Sequence, residues 1–150
     1  MKTILNRFTE FGTVYLRLAL GIGFLSAVAD RFGLWGAPGA KGVAWGSFDN
    51  FLTYTATLNP FLPSSLVPAV GWIATFAELI LGLLLVLGFR LRETAALSGL
   101  MLLLFAIGMI TGVGMKAPLD YSVFAASAGA FLLAAVGKSP LSIDALRSRA

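Results

Sequence analysis

The sequence contains no cysteine and no histidine. Without cysteine there is no disulfide framework, no thiol nucleophile and no thiolate-ligated iron–sulfur cluster. Without histidine there is no His-ligated haem, none of the commonest zinc, copper and non-haem iron sites, and no Ser-His-Asp triad. No metal site is expected and no intrinsic cofactor ligand is visible. Charge is scarce as well: Asp, Glu, Lys and Arg make up 12% of the chain, half of the roughly 25% usual in a soluble domain. That is too little to coat a water-facing globule. Proton or electron chemistry would have to use carboxylates, Tyr, Trp or a borrowed cofactor.

What is present is apolar. The hydrophobic fraction is 58% and the mean hydropathy +0.89, which excludes intrinsic disorder and points to a lipid bilayer as the main partner. The 150 residues suffice for a single domain, residues 1–150. The net charge of +4 comes from eleven basic residues set singly or in pairs. They form no basic stripe or reading motif, so nucleic acid is not an expected partner.

Four segments approach the roughly 20 apolar residues of a membrane span. They are Phe11–Ala29 with one charge at Arg17, Val67–Phe89 with one charge at Glu78, and Thr94–Met115 and Tyr121–Gly137 with none. The last is the shortest, at about 26 Å of helix. Pro118 precedes it, Asp120 is positioned as its N-cap, and Pro140 ends it near Lys138. Lys2 and Arg7, an apolar run and Ala27-Val28-Ala29 also resemble a cleavable signal peptide. Arg17 interrupts that run, so the segment is read as a retained span. The expected fold is all-α: a transmembrane four-helix bundle.

Lys and Arg set the expected orientation. Lys2, Arg7, Arg90, Arg92, Lys138, Arg147 and Arg149 fall on one side of such a bundle; Arg31, Lys41 and Lys116 fall on the other. The positive-inside rule then places both termini in the cytoplasm, and the expected location is a bacterial inner membrane. The outer loop, residues 30–66, is too long for a plain turn. Within it Ser47 is an N-cap candidate, and Phe48, Phe51, Leu52, Thr55 and Leu58 share one helical face. This predicts a short amphipathic helix at the outer interface, either a lid that closes the bundle or a gate over a cavity.

Helices in lipid gain little from burying apolar surface against each other, so close backbone approach must hold them. Small residues recur at four-residue spacing: Ala19, Gly23 and Ala27; Gly108 and Gly112; Ser122, Ala126, Ala130 and Ala134. Packing within the bundle is the first reading of these ridges, and a homodimer face the second.

The embedded charges are the candidate site. A charge near the bilayer centre costs at least about 2.5–3.5 kcal/mol and so calls for a partner or a function. Counted from the ends of their spans, Arg17 and Glu78 differ in depth by about 7 Å, within reach of an extended arginine. They are expected to form a buried pair between spans one and two, serving either as a latch on helix register or as a ligand- or proton-anchoring carboxylate tuned by arginine. Alternatively Arg17 snorkels to the interface and leaves Glu78 alone. Trp72, Phe76 and the outer aromatic helix are the expected pocket lining. Asp30, Arg31, Lys116, Asp120 and Tyr121 form a second polar set at the outer mouth, read first as solvated interface charges.

In this order the features resemble the DoxX family of small bacterial four-span membrane proteins. The resemblance rests on Arg17-Leu18-Ala19-Leu20-Gly21 in the first span and on Glu78-Leu79-Ile80-Leu81-Gly82-Leu83-Leu84-Leu85-Val86-Leu87-Gly88 in the second. A basic turn, an apolar third span and Lys116-Ala117-Pro118-Leu119-Asp120-Tyr121-Ser122 complete it. It covers nearly the whole chain. Members of that family are named as membrane subunits of thiosulfate:quinone oxidoreductase or as partners in redox-stress complexes. The resemblance therefore implies a membrane subunit or scaffold with a membrane or peripheral redox partner, not an enzyme on its own. Its alternative is a subunit that binds a quinone or other lipophile, with Glu78 and Arg17 on the polar head. A small-solute transporter is the weakest reading, since four spans are few and no inverted repeat is visible.

Overall fold

A computed structural model describes residues 2–148, all of whose regular structure is helical. The elements are α1 (Lys2–Arg31), α2 (Phe48–Leu58), a 3-10 turn (Ser64–Leu66), α3 (Val67–Leu87), α4 (Leu91–Val113), α5 (Lys116–Asp120), α6 (Val123–Val136) and α7 (Ile143–Arg147). Three of these helical segments, Thr3–Arg31, Ser64–Leu87 and Leu91–Val113, are long and apolar enough to cross a membrane. Large apolar side chains such as Phe11, Ile22, Leu83, Leu87 and Ile107 are exposed around their outward faces. A water-soluble monomer does not expose apolar surface on this scale, and the helices point to a membrane protein.

The bundle is built from two tight pairs. α1 packs along α3, and α4 packs along α6, while α3 and α4 touch sparsely despite being joined by a short turn. The α1–α3 contact is a close backbone approach: a Cβ on Gly21 would lie 2.9 Å from the Gly82 carbonyl oxygen. The expected ridge residue Gly23 instead faces open space. In the other pair, Ser127 donates to the Gly99 carbonyl at 2.8 Å, and Ala95, Ser98 and Ala130 are fully buried. Leu20, Phe24, Leu81, Leu85, Leu91 and Leu133 complete the core between the pairs.

One end of the bundle is tied by the tail. Gly88 ends α3 in the left-handed conformation, φ 65°, and any Cβ there would run into the Arg17 guanidinium and Ser142. Arg90, also left-handed, leaves α4 without a cap of its own. Asp144 supplies one from a distance, accepting from Arg90 N at 3.0 Å and Leu91 N at 2.7 Å, where the helix dipole favours a carboxylate. Arg17 completes the tie, donating to the carbonyls of Val86 at 3.2 Å and Leu141 at 3.0 Å.

At the opposite end α2 lies across α3 and α4. Ser47 is its N-cap, accepting from Asn50 N at 3.3 Å. A helix is thus present where the periodicity predicts one, with the expected cap, and its last turn, Thr57–Leu58, sits on Gly108 and Gly112 of α4. Those glycines seat α2 rather than another long helix. The last apolar segment departs from Tyr121–Gly137. Lys116–Asp120 makes its own helical turn, Ser122 is left-handed at φ 54°, and α6 begins at Val123. Asp120 pairs with Lys116 and does not cap α6.

Candidate functional site

Because α3 and α4 diverge, a groove of about 1320 Å³ opens between them, roofed by α2 at one end. Its walls are Ile73, Ala77, Ile80 and Leu81 of α3 and Leu97, Leu100, Met101, Leu104 and Phe105 of α4. Trp45, Phe51 and Tyr54 line it from α2 and the loop before it, and Tyr121 stands at the same end. The rim residues Ile73, Ile80, Leu97, Leu100 and Leu104 are exposed, so the groove is open along its side.

Glu78 and Arg31 form its polar floor. Glu78 is eleven residues from the start of α3 and nine from its end, 3% exposed. Arg31, the last residue of α1, is 2% exposed and forms an ion pair with Glu78 Oε2. The same guanidinium donates to Thr75 Oγ1 at 2.9 Å and lies 3.8 Å over the Phe51 ring and 5.4 Å from that of Trp45. Thr75 in turn donates to Gly71 O at 2.8 Å. Arg31 is therefore clamped between α2 and α3, its charge met by a carboxylate on one side and aromatic faces on the other.

Asp30, beside it, turns away. Its Oδ2 accepts from Ala44 N at 2.9 Å and Trp45 N at 3.0 Å. It thereby pins the long loop back over the end of α1 and holds Trp45 against Arg31. Burial, with Tyr121 close by, pushes the Tyr54 phenol above its ordinary pKa, so it stays protonated as a donor.

These contacts revise the expected pairing. Arg17 and Glu78 are both buried, but they do not meet. Arg17 is bonded to Val86, eight residues and so about 12 Å beyond Glu78 along α3. The depth count began at Phe11, whereas α1 begins at Lys2 and runs on to Arg31, and its register against α3 puts Arg31 beside Thr75 and Glu78. Nor do Trp72 and Phe76 line the groove. At about 100° per residue, positions 72 and 76 point well away from position 78. They belong to an aromatic ladder, Phe32–Phe48–Trp72–Phe76, with ring centroids 5.8, 4.4 and 5.4 Å apart, on another face of α3.

The outer polar set does not assemble either. Lys116 and Asp120 pair with each other at the surface, Asp30 binds the loop and Arg31 turns inward. Of that set, Arg31 and Tyr121 reach the groove. Sequence reasoning missed Thr75, whereas Trp45, Phe51 and Tyr54 belong to the outer aromatic segment that was expected to line the tail path. The spacing of Phe51 and Thr55 on one face of α2 was a signal for the buried side of that helix, but not for the Arg31 and Thr75 side chains beneath it. Among the described residues no group of three or more metal-ligating Asp or Glu side chains occurs.

No family model, curated protein or solved structure matches this chain.

Proposed function

We propose that the groove binds an amphipathic lipophile, its apolar tail between α3 and α4 and its polar head on the Arg31–Glu78 floor. The observation that carries this reading is one continuous cavity that is apolar along its walls, open on its side and floored by a buried carboxylate paired with Arg31. Lipophile sites combine these elements: extended apolar walls with a few placed polar groups. Charged side chains inside a span mark a site by default, and a close-packed latch would leave no void beside them.

The wider assignment is part of the same proposal. The chain is a four-span membrane subunit of the DoxX type, with α6 as its short fourth span, α2 at the outer interface and both termini cytoplasmic in a bacterial inner membrane. Arg17, Arg90, Arg92, Lys138 and Arg147 share the end tied by the tail, while the burial of Arg31 removes one charge from the opposite count. Arg149 lies outside the described residues. With no cysteine or histidine in the sequence, the chain is read as holding a quinone-class lipophile for a redox partner rather than as carrying the electrons itself.

Photolabelling tests the site. A short-chain quinone with a diazirine on its tail, irradiated with the purified protein, is expected to label α3 and α4 peptides at Ile80, Leu100 or Leu104, and to be competed by unlabelled quinone. Uncompeted labelling spread over outward faces such as Ile22 would remove the proposal.

A further inference from the structure

The donors and acceptors around the groove are unequally spent. On α2, Thr53, Thr55 and Thr57 each donate their hydroxyl to a backbone carbonyl of their own helix, of Asp49, Phe51 and Thr53 respectively. The side-chain amides of Asn50 and Asn59 donate to Trp45 O and Thr55 O. At the floor, Thr75 donates to Gly71 O, and Arg31 is taken up by Thr75, Glu78 and the Phe51 ring.

Acceptors are left over. Arg31 is ion-paired with Glu78 through Oε2. No donor among the described residues reaches Oε1. Glu78 is thus a carboxylate buried to more than nine-tenths, on the wall of a cavity, short of the donors an ionised carboxylate takes. Among the described residues, the donors still free around the groove are the buried Nε of Arg31 at the floor and, toward the α2 end, the phenols of Tyr54 and Tyr121.

We infer that the head group held at this floor is a hydrogen-bond donor, an aromatic hydroxyl such as that of a hydroquinone, given to Glu78. A head that only accepts, such as the oxidised quinone, finds no free donor beside Glu78 except the buried Nε of Arg31 and leaves the carboxylate unsatisfied. Hydrogen bonds to charged groups are the strong ones, and an unmet buried acceptor is costly. The inference rests on the lipophile reading above and adds the redox form of the ligand.

The test is calorimetric titration of the full chain in mild detergent with a decyl-tailed hydroquinone, the matching quinone and the hydroquinone dimethyl ether, each corrected against empty micelles. With no cysteine present, the reductant that keeps the hydroquinone reduced has no disulfide to attack. The hydroquinone is expected to bind about tenfold or more tighter than the other two, the size of one charge-assisted hydrogen bond. Glu78→Gln, whose amide offers a donor as well as an acceptor, is expected to shrink that preference to below about threefold. The wild-type comparison stands even if this variant folds poorly. A quinone or dimethyl ether that binds as tightly as the hydroquinone would overturn the donor-head inference while leaving the groove reading in place. Binding by none of the three would overturn both.

Discussion

Arg31 and Glu78 are each almost fully buried and each is the other's charge partner. Removing one side should be unequal. Glu78→Ala strands a guanidinium and is expected to cost about 3–5 kcal/mol, whereas Arg31→Ala leaves a carboxylate that can take up a proton, at smaller cost. In thermal melts of the detergent-solubilised protein, the Arg31/Glu78 double variant should lose less than the sum of its singles. The Arg17/Glu78 double variant should be additive to within about 0.5 kcal/mol, because Arg17 is bonded at Val86, about 12 Å along α3 from Glu78, and the two share no partner. Coupling in the second cycle and not the first would mean that the α1–α3 register described above is wrong. That two buried charges needed an account was legible in the sequence. Their partners were not, because depth was counted from predicted span ends, and α1 outran its prediction at both.

Among the elements, the α3–α4 turn shows how a distant segment completes a local one. α4 begins without a cap of its own, and Asp144 reaches back across the chain to supply it. Asp144→Ala should cost the order of a lost N-cap, about 0.5–2 kcal/mol. It should also loosen the tail, so that trypsin cuts after Lys138 faster than in the wild type while the bundle stays intact; an unchanged cleavage rate would show that the tail is held without Asp144. The α1–α3 contact makes a second prediction. Gly21→Val inserts a branched side chain where a Cβ already meets backbone, and overpacking of this kind typically costs about 1–3 kcal/mol, read as a fall in melting temperature. Helix existence was readable from hydropathy, and α2 from the Ser47 cap and its Phe48–Leu58 periodicity. The break at Tyr121–Ser122 was not, because no glycine marks it: a serine takes the left-handed turn. Small-residue spacing predicted close packing without saying which ridge meets which, so Gly108 and Gly112 seat α2 instead of a long helix.

For the whole molecule, two tight helix pairs that diverge from one another make the groove, and this was beyond reach of the sequence: spacing along one helix does not report the angle between two. Angular position on α3 was readable, however, and would have turned attention from Trp72 and Phe76 to Ala74 and Leu81, one turn either side of Glu78. The proposed topology predicts that epitope tags at both termini are inaccessible from outside intact cells and that one inserted near Gly39 is accessible; an exposed C-terminal tag would reverse the assignment. The central claim, that the space between α3 and α4 holds a lipophile headed at Glu78, is tested most directly by locating one. Crystals grown from lipid with a decyl hydroquinone brominated at the tail terminus should give a bromine anomalous peak between Ile80 and Leu104, with the ring density adjoining Glu78. A groove without that peak, or a peak confined to the outward face of α1, would contradict the account.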